Sequence, residues 1–198
     1  MPTLTGYQAL HRPNKAALKA GDSILIHGAA GGVGSYAVQF AKAAGILTAA
    51  TCSAQNADYV ATLGADHVID YRQGNLAKAV KSWRSDGVDA IIDCVSGNTM
   101  PDALDALAPG GRLISVATLT QDGDLVRDGE AAAARGFSKI ISIMEFDRID
   151  QELAAILDLL DRKIVKTPPI LRYPLNEGRE ALIRMKQGGV QGKIVIVA

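Results

Sequence analysis

The stretch "SILIHGAAGGVGSYAVQFAKAAG", residues 23–45, constrains the fold more than any other. A stiff run of branched aliphatics gives way at once to nine residues, Gly28–Tyr36, with four glycines, two alanines and no charge. A strand over Ser23–His27 must therefore turn at its C-terminal end and start a helix near Gly32. The first turn of a helix exposes unpaired N–H groups and a partial positive charge, which suits a phosphate. Phosphate reaches that backbone only where side chains are absent, hence glycine at the closest positions. Gly34, Ala37, Ala41 and Ala44 form a small-residue stripe that lets the helix lie tightly on the strand. Gly31-Gly32-Val33-Gly34 is thus a candidate pyrophosphate seat, flanked by the strand, helix and second strand that such a seat requires.

The rest of the chain repeats this grammar. Strands are predicted over Ser23–His27, Leu47–Cys52, His67–Ile69, Ala90–Val95, Arg112–Ala117 and Lys139–Met144. Helices are predicted between them, over Gly32–Ala44, Ala54–Leu63, Leu76–Trp83, Met100–Leu107 and Asp150–Asp161. Such alternation is the mark of stacked βαβ crossovers, and continuous apolar runs such as "AIIDCV" belong to strands covered on both faces. The expected class is α/β, a doubly wound parallel six-stranded sheet over residues 21–163. Residues 1–20 read as a junction segment, with a helix over Thr5–Leu10, a break at Pro13 and a short basic helix ending at Gly21. Residues 164–198 read as a strand–helix–strand appendage, with an extended stretch, a helix near Glu177–Gln187 and the strand "GKIVIVA". The polar segment 120–136 reads as a loop holding a short helix.

Bulk properties exclude several functions. Twenty-one basic and twenty-one acidic residues cancel, which argues against a broad nucleic-acid footprint. No apolar run is long enough for a membrane span, and no secretory signal is expected. Cys52 and Cys94 lack any CxxC spacing, so neither a disulfide framework nor a zinc knuckle is expected, and the cytoplasm is the default location. His27, Cys52 and Cys94 fall at strand ends, yet their spacing matches no usual ligand pattern, so no metal site is expected. Cys94 has no nearby lysine or histidine to activate it. Asp93, an acid inside an apolar strand, reads either as a carboxylate paired with a loop N–H or as a contact to a cofactor ribose.

The end of the second strand distinguishes the two nicotinamide cofactors, because an acid there binds the ribose hydroxyls of NAD and repels a 2′-phosphate. This chain has "TAATCSAQN", residues 48–56, with no acid until Asp58. Thr51, Ser53 and Asn56 can donate to a phosphate and Arg72 can add charge, so NADP (NADPH) is favoured over NAD. A methyltransferase using S-adenosylmethionine would also want the missing acid. It stands as an alternative, as does a non-catalytic nucleotide-binding module.

The ordered blocks "LTGYQAL", "LKAGDSILIHGAAGGVGSYAVQFAKAAG", "LGADHVIDYR", "GVDAIIDCVSG" and "LAPGGRLISVA" resemble the medium-chain dehydrogenase/reductase family. The likeness is greatest to its zinc-independent quinone oxidoreductase (zeta-crystallin-like) branch. That resemblance implies a Rossmann domain binding NADPH for hydride transfer to a quinone or unsaturated carbonyl. It implies pyrophosphate contacts from Ala30, Gly31, Gly32, Val33 and Gly34. Ser53, Asn56, Tyr71 and Arg72 would surround the 2′-phosphate, although relatives preferring NADPH commonly carry lysine where Asn56 stands. Cys94, Val95 and Ala117 would touch the nicotinamide half. Relatives carry a GroES-like substrate domain ahead of "LTGYQAL". The chain therefore reads as a cofactor-binding domain with no catalytic residue of its own, and residues 164–198 would pack on that substrate domain. An apolar edge strand is an aggregation template unless covered. Together with the resemblance, this points to a homodimer through Lys139–Met144.

Overall fold

The structure is a computed structural model that describes residues 1–95, 99–116 and 124–198, the side chains of 124–128 excepted. Its centre is a six-stranded sheet of β1 (Ser23–His27), β2 (Leu47–Cys52), β3 (His67–Asp70), β4 (Val88–Asp93), β5 (Leu107–Ser115) and β6 (Ser138–Ile141). The strand order is β3-β2-β1-β4-β5-β6 and every pairing is parallel. The doubly wound sheet is therefore the one expected. Its register brings His27, Cys52, Asp70, Asp93 and Ser115 to one end of the sheet, with His27 opposite Asp93 and Cys52 opposite Asp70.

Side chains alternate across the sheet and divide the core in two. Ile24, Ile26, Ile92 and Ile114 pack with Leu10, Phe40 and Ile156 on one face. Leu25, Ile91 and Leu113 pack with Leu76, Val80 and Leu107 on the other. The first face is covered by α1 (Pro2–His11), α2 (Gly34–Ala43) and α6 (Ile149–Asp161), and the second by α4 (Leu76–Trp83). A short α3 (Ala57–Thr62) follows β2, and α5 (Asp124–Ala134) precedes β6. α1 sits close on α2 because Gly6 lacks a side chain; a Cβ there would lie 3.3 Å from the Val33 carbonyl oxygen. The Tyr7 and Phe40 rings meet edge-on at 5.3 Å. The N-terminal helix is thus part of the main core. Its far end is clamped by Arg12, which bonds Glu145, Asp147 and Glu152 at 2.6–2.7 Å.

Several expected boundaries are corrected. The basic helix ending at Gly21 does not form: residues 13–16 make turns, Ala17 is left-handed at φ 51, and Lys15 is buried with Nζ donating to the Ile143 carbonyl. The helix Met100–Leu107 shrinks to one 3-10 stretch, Ala103–Ala106, and Leu107 already opens β5. β4 stops at Asp93 rather than Val95, because Asp93 Oδ1 accepts the Val95 N–H at 2.9 Å and turns the chain. This is the loop pairing that was one reading of Asp93. β5 ends at Ser115, and Ala117 lies outside the described residues. β6 ends at Ile141, short of Met144, where Ile143 N–H turns back onto the Ile141 carbonyl.

The C-terminal part forms β7 (Ile170–Pro174), α7 (Gly178–Lys186) and β8 (Lys193–Val197), with β7 and β8 paired in parallel as a separate two-stranded sheet. Among the described residues no helix is long and apolar enough to cross a membrane.

Candidate dinucleotide site

The site lies where β1 gives way to α2. Gly28 has φ 76, a left-handed conformation that strongly favours glycine. Its carbonyl accepts Gly31 N–H, and Ser35 N–H bonds the Gly31 carbonyl, so the chain tightens before the helix begins. Val33 is the N-cap of α2, and no side chain caps the helix. The glycines in this loop serve different ends. A Cβ on Gly34 would collide with the Gly28 carbonyl oxygen and stand 2.7 Å from Ala29 Cα. Gly34 is therefore demanded by helix–strand packing. A Cβ on Gly31 would meet only Gly28 O at 3.4 Å, and one on Gly32 only ordinary contacts at 3.4–3.8 Å. Neither position is required to be bare by the protein's own atoms.

A buried polar network holds the loop. Thr51 Oγ1 accepts Gly28 N–H at 3.2 Å and meets His27 Nδ1 at 2.7 Å, while His27 Nε2 meets Thr99 Oγ1 at 3.1 Å. Burial lowers the His27 pKa, partly offset by Asp93. Each ring nitrogen of His27 thus faces a threonine hydroxyl. Thr51 is fully buried in this network, which corrects the expectation that it offers a donor to phosphate. Cys52 is pushed up to about 11 by burial and by Asp70. Burial and Asp93 likewise raise the Cys94 thiol, so neither cysteine is poised as a nucleophile.

Around the end of β2 the expected residues part company. Ser53 is 3% exposed, and its Oγ is a buried atom with no hydrogen-bond partner. Asn56 is also buried, but it is committed to the C-terminal segment: Nδ2 donates to Gly189 O at 3.3 Å and Oδ1 accepts from Gln191 Nε2 at 3.1 Å. Tyr71 and Arg72 stand exposed at the end of β3, with the guanidinium 5.5 Å from the centre of the Tyr71 ring. Beside Tyr71 a cavity of about 360 Å³ opens against His27, Asn75, Thr99 and Pro101. Cys94 and Val95 follow β4 on the same side of the sheet, with Cys94 N–H bonded to the His27 carbonyl at 3.2 Å.

Sequence reasoning missed the outer wall of the site, formed by the segment before β8. Gly192 N–H donates to the Ala30 carbonyl at 2.7 Å, and Gly31 and Gly192 form an isolated parallel bridge. These partners are about 160 positions apart, and no local pattern links them. Only the glycine pair in "KQGGVQGK" marks a backbone with unusual turns.

The residues fit a dinucleotide: a bare main-chain cradle, an orphaned buried hydroxyl and no acid at the end of β2. No three His, Cys, Asp or Glu side chains converge among the described residues.

Comparison with known proteins gives the family. The family model for zinc-binding dehydrogenases matches residues 63–196. The chain is 32% identical over 200 residues to the chloroplast envelope quinone oxidoreductase homolog of Arabidopsis thaliana, covering 98% of this chain and 58% of that protein. It is 30% identical over 204 residues to the Homo sapiens quinone oxidoreductase, covering 100% and 60%. A highly reducing polyketide synthase of Gibberella zeae matches at 31% over 203 residues, 97% of this chain but only 8% of that protein. Among solved structures, the quinone oxidoreductase from Coxiella burnetii superposes with TM-score 0.85 at 32% identity, over 100% of this chain and 58% of that one. The CurK enoyl reductase gives 0.84 at 26%, over 99% and 60%. The chain thus spans at most about 60% of these relatives. With the parallel sheet and its glycine crossover, these matches place the chain in the zinc-binding dehydrogenase family.

Proposed function

We propose that this chain binds NADPH and serves a zinc-independent reductase that passes hydride to a quinone or an unsaturated carbonyl. One observation carries the cofactor choice: the end of β2 has no acid, and Ser53 Oγ is buried there without a partner. A carboxylate at that place would hold the ribose hydroxyls of NAD and repel a 2′-phosphate, whereas a lone hydroxyl suits the phosphate. Ala30, Gly31, Gly32, Val33 and Gly34 hold the pyrophosphate. Ser53, Tyr71 and Arg72 face the adenosine 2′-phosphate, with Asn56 acting through the segment it anchors. The cavity beside Tyr71 receives the adenine, and Cys94 and Val95 flank the nicotinamide half. When bound, the cofactor supplies the hydride, while these residues bind, orient and exclude water.

The relatives named quinone oxidoreductase and enoyl reductase support the acceptor class. The substrate site belongs to a further, GroES-like domain. Residues 164–198 form the return segment that meets it, and exposed Ile170, Leu171 and Ile196 on β7 and β8 support that placement. Ile141 and Ile143, the latter 70% exposed, stand at and just past the end of edge strand β6. Their exposure supports a homodimer joined along that edge, and light scattering that finds only monomer at micromolar concentration would remove it. Free Cys52 and Cys94 support a reducing compartment, the cytoplasm.

The cofactor reading is tested by thermal shift with NADPH, NADH and S-adenosylmethionine at matched concentrations. A ligand that binds only the folded state raises the melting temperature by mass action. NADPH is expected to give the largest rise. Equal shifts, or none, would refute the assignment.

A further inference from the structure

We infer that the outward face of α7 is a docking surface for an anionic lipid bilayer, which holds the protein at a membrane surface without crossing it. This role is independent of the cofactor. Charge is divided unevenly along the chain. Residues 162–198 hold eight basic and two acidic residues, and the twenty-one of each in the whole chain leave thirteen basic and nineteen acidic for residues 1–161. The C-terminal unit is thus strongly cationic and the rest of the chain acidic, an asymmetry that points to a polyanionic surface as partner. Lys163, Lys166, Arg172, Arg179 and Lys186 are all exposed, and none pairs with a carboxylate among the described residues.

One stripe of this unit is built for the contact. A Cβ on Gly178 would lie 3.6 Å from Ile196 Cδ1, and Ala181 is buried, so that side of α7 rests on the two-stranded sheet. Arg179, Leu182, Ile183 and Lys186 follow at i, i+3, i+4 and i+7, a continuous stripe on the opposite side of the helix. Leu182 is 59% exposed and Ile183 47%. Two large aliphatic side chains thus face solvent between two cations, with no acid on the stripe. That is the pattern of an interfacial helix: the aliphatic groups enter the acyl boundary while the long cationic stems snorkel to the headgroups. A helix of nine residues presents a small convex surface. A protein partner needs about 800 Å² of complementary surface per side, whereas a bilayer imposes no fixed shape. The acidic remainder of the chain is repelled by the same lipid, which orients the C-terminal unit toward it. The stripe points away from β7 and β8, the strands assigned above to the further domain.

The test is co-sedimentation of the full chain with vesicles of phosphatidylcholine alone and of phosphatidylcholine mixed equally with phosphatidylglycerol, at low and high salt, beside a sample without vesicles. Binding to the mixed vesicles at low salt is expected, with little to phosphatidylcholine and release at high salt, because the attraction falls off within a Debye length. Arg179→Gln with Lys186→Gln is expected to weaken binding about 25-fold, from a loss of about fivefold for each cation removed from the surface. Leu182→Gln with Ile183→Gln is expected to weaken it at least about tenfold at unchanged charge, since interfacial binding scales with buried apolar area. All four side chains are exposed, so both double variants keep the wild-type melting temperature. No binding to the mixed vesicles, equal binding to both compositions, or unchanged binding in either double variant overturns the inference. Sedimentation without vesicles gives the face to a second copy of the chain and overturns it as well.

Discussion

Gly34→Ala and Gly32→Ala, two residues apart in one loop, are expected to fail in opposite ways. At Gly34 the added methyl meets the backbone carbonyl of Gly28 and the Cα of Ala29, the latter at 2.7 Å. Backbone on both sides cannot rotate away, so β1 and α2 must separate. Overpacking of a fitted core costs typically 1–3 kcal/mol, and immovable neighbours put this case at about 3 kcal/mol. For a chain of this length that is a fall in melting temperature of roughly 6–12 °C. At Gly32 the methyl finds neighbours at 3.4–3.8 Å, and φ lies outside the left-handed region. Removing glycine's freedom from the unfolded chain then leaves stability unchanged or raised by about 0.4–1 kcal/mol. Dinucleotide affinity, however, falls at least about tenfold, or 1.4 kcal/mol, because the methyl occupies the phosphate's approach. Differential scanning fluorimetry and NADPH titration of both variants read the two effects separately. The reasoning is refuted if Gly32→Ala binds NADPH like wild type, or destabilises the fold as much as Gly34→Ala.

Two further outcomes follow from the buried charges. Arg12→Met removes the cation from Glu152, which is 8% exposed, and leaves that carboxylate with only Gln8 Nε2 at 2.6 Å. A loss of about 3 kcal/mol is expected in urea denaturation, the low end for stripping a buried charge of its partner, because Glu145 and Asp147 remain open to water; a loss under about 1 kcal/mol would show the clamp to be ornamental. Burial depresses the His27 pKa below its ordinary 6.5, so the unfolded state binds more protons there than the folded one. That contribution to stability is complete above pH 6.5 and shrinks as pH falls below it, toward the folded pKa. His27→Gln should flatten the slope of stability against pH just below 6.5, while His11, depressed in the same direction, keeps part of it. An unchanged slope would place the titration elsewhere.

The local part of the architecture was legible. β1, β2 and α4 fall within the predicted bounds, because each is set by its own apolar period and by the turn residues beside it. Errors collected where a side chain spends its polarity on a distant or local backbone group. Asp102 gives its carboxylate to Ala77 N–H at 2.8 Å instead of starting a long helix. Lys15 drives its ammonium to Ile143 O, and Asp93 closes a turn on Val95. These choices follow from which donors and acceptors meet in space, and the sequence carries no trace of that.

The candidate site divides along the same line. The glycine crossover and the missing acid after β2 are properties of contiguous residues, so the reading of a phosphate seat and of NADPH as its cofactor needs only the sequence. It could not distinguish Gly34, held bare by helix–strand contact, from Gly32, where a methyl meets only ordinary contacts, since both read as one letter. Nor could it separate Ser53, an orphan hydroxyl, from Asn56, already engaged by Gly189 and Gln191. Only the tertiary structure decided that the last strand closes over the first crossover. The physical reason is range. Backbone preference and apolar period act over a few residues, whereas a hydrogen bond between Gly192 and Ala30 exists only once the whole sheet has brought the two ends together.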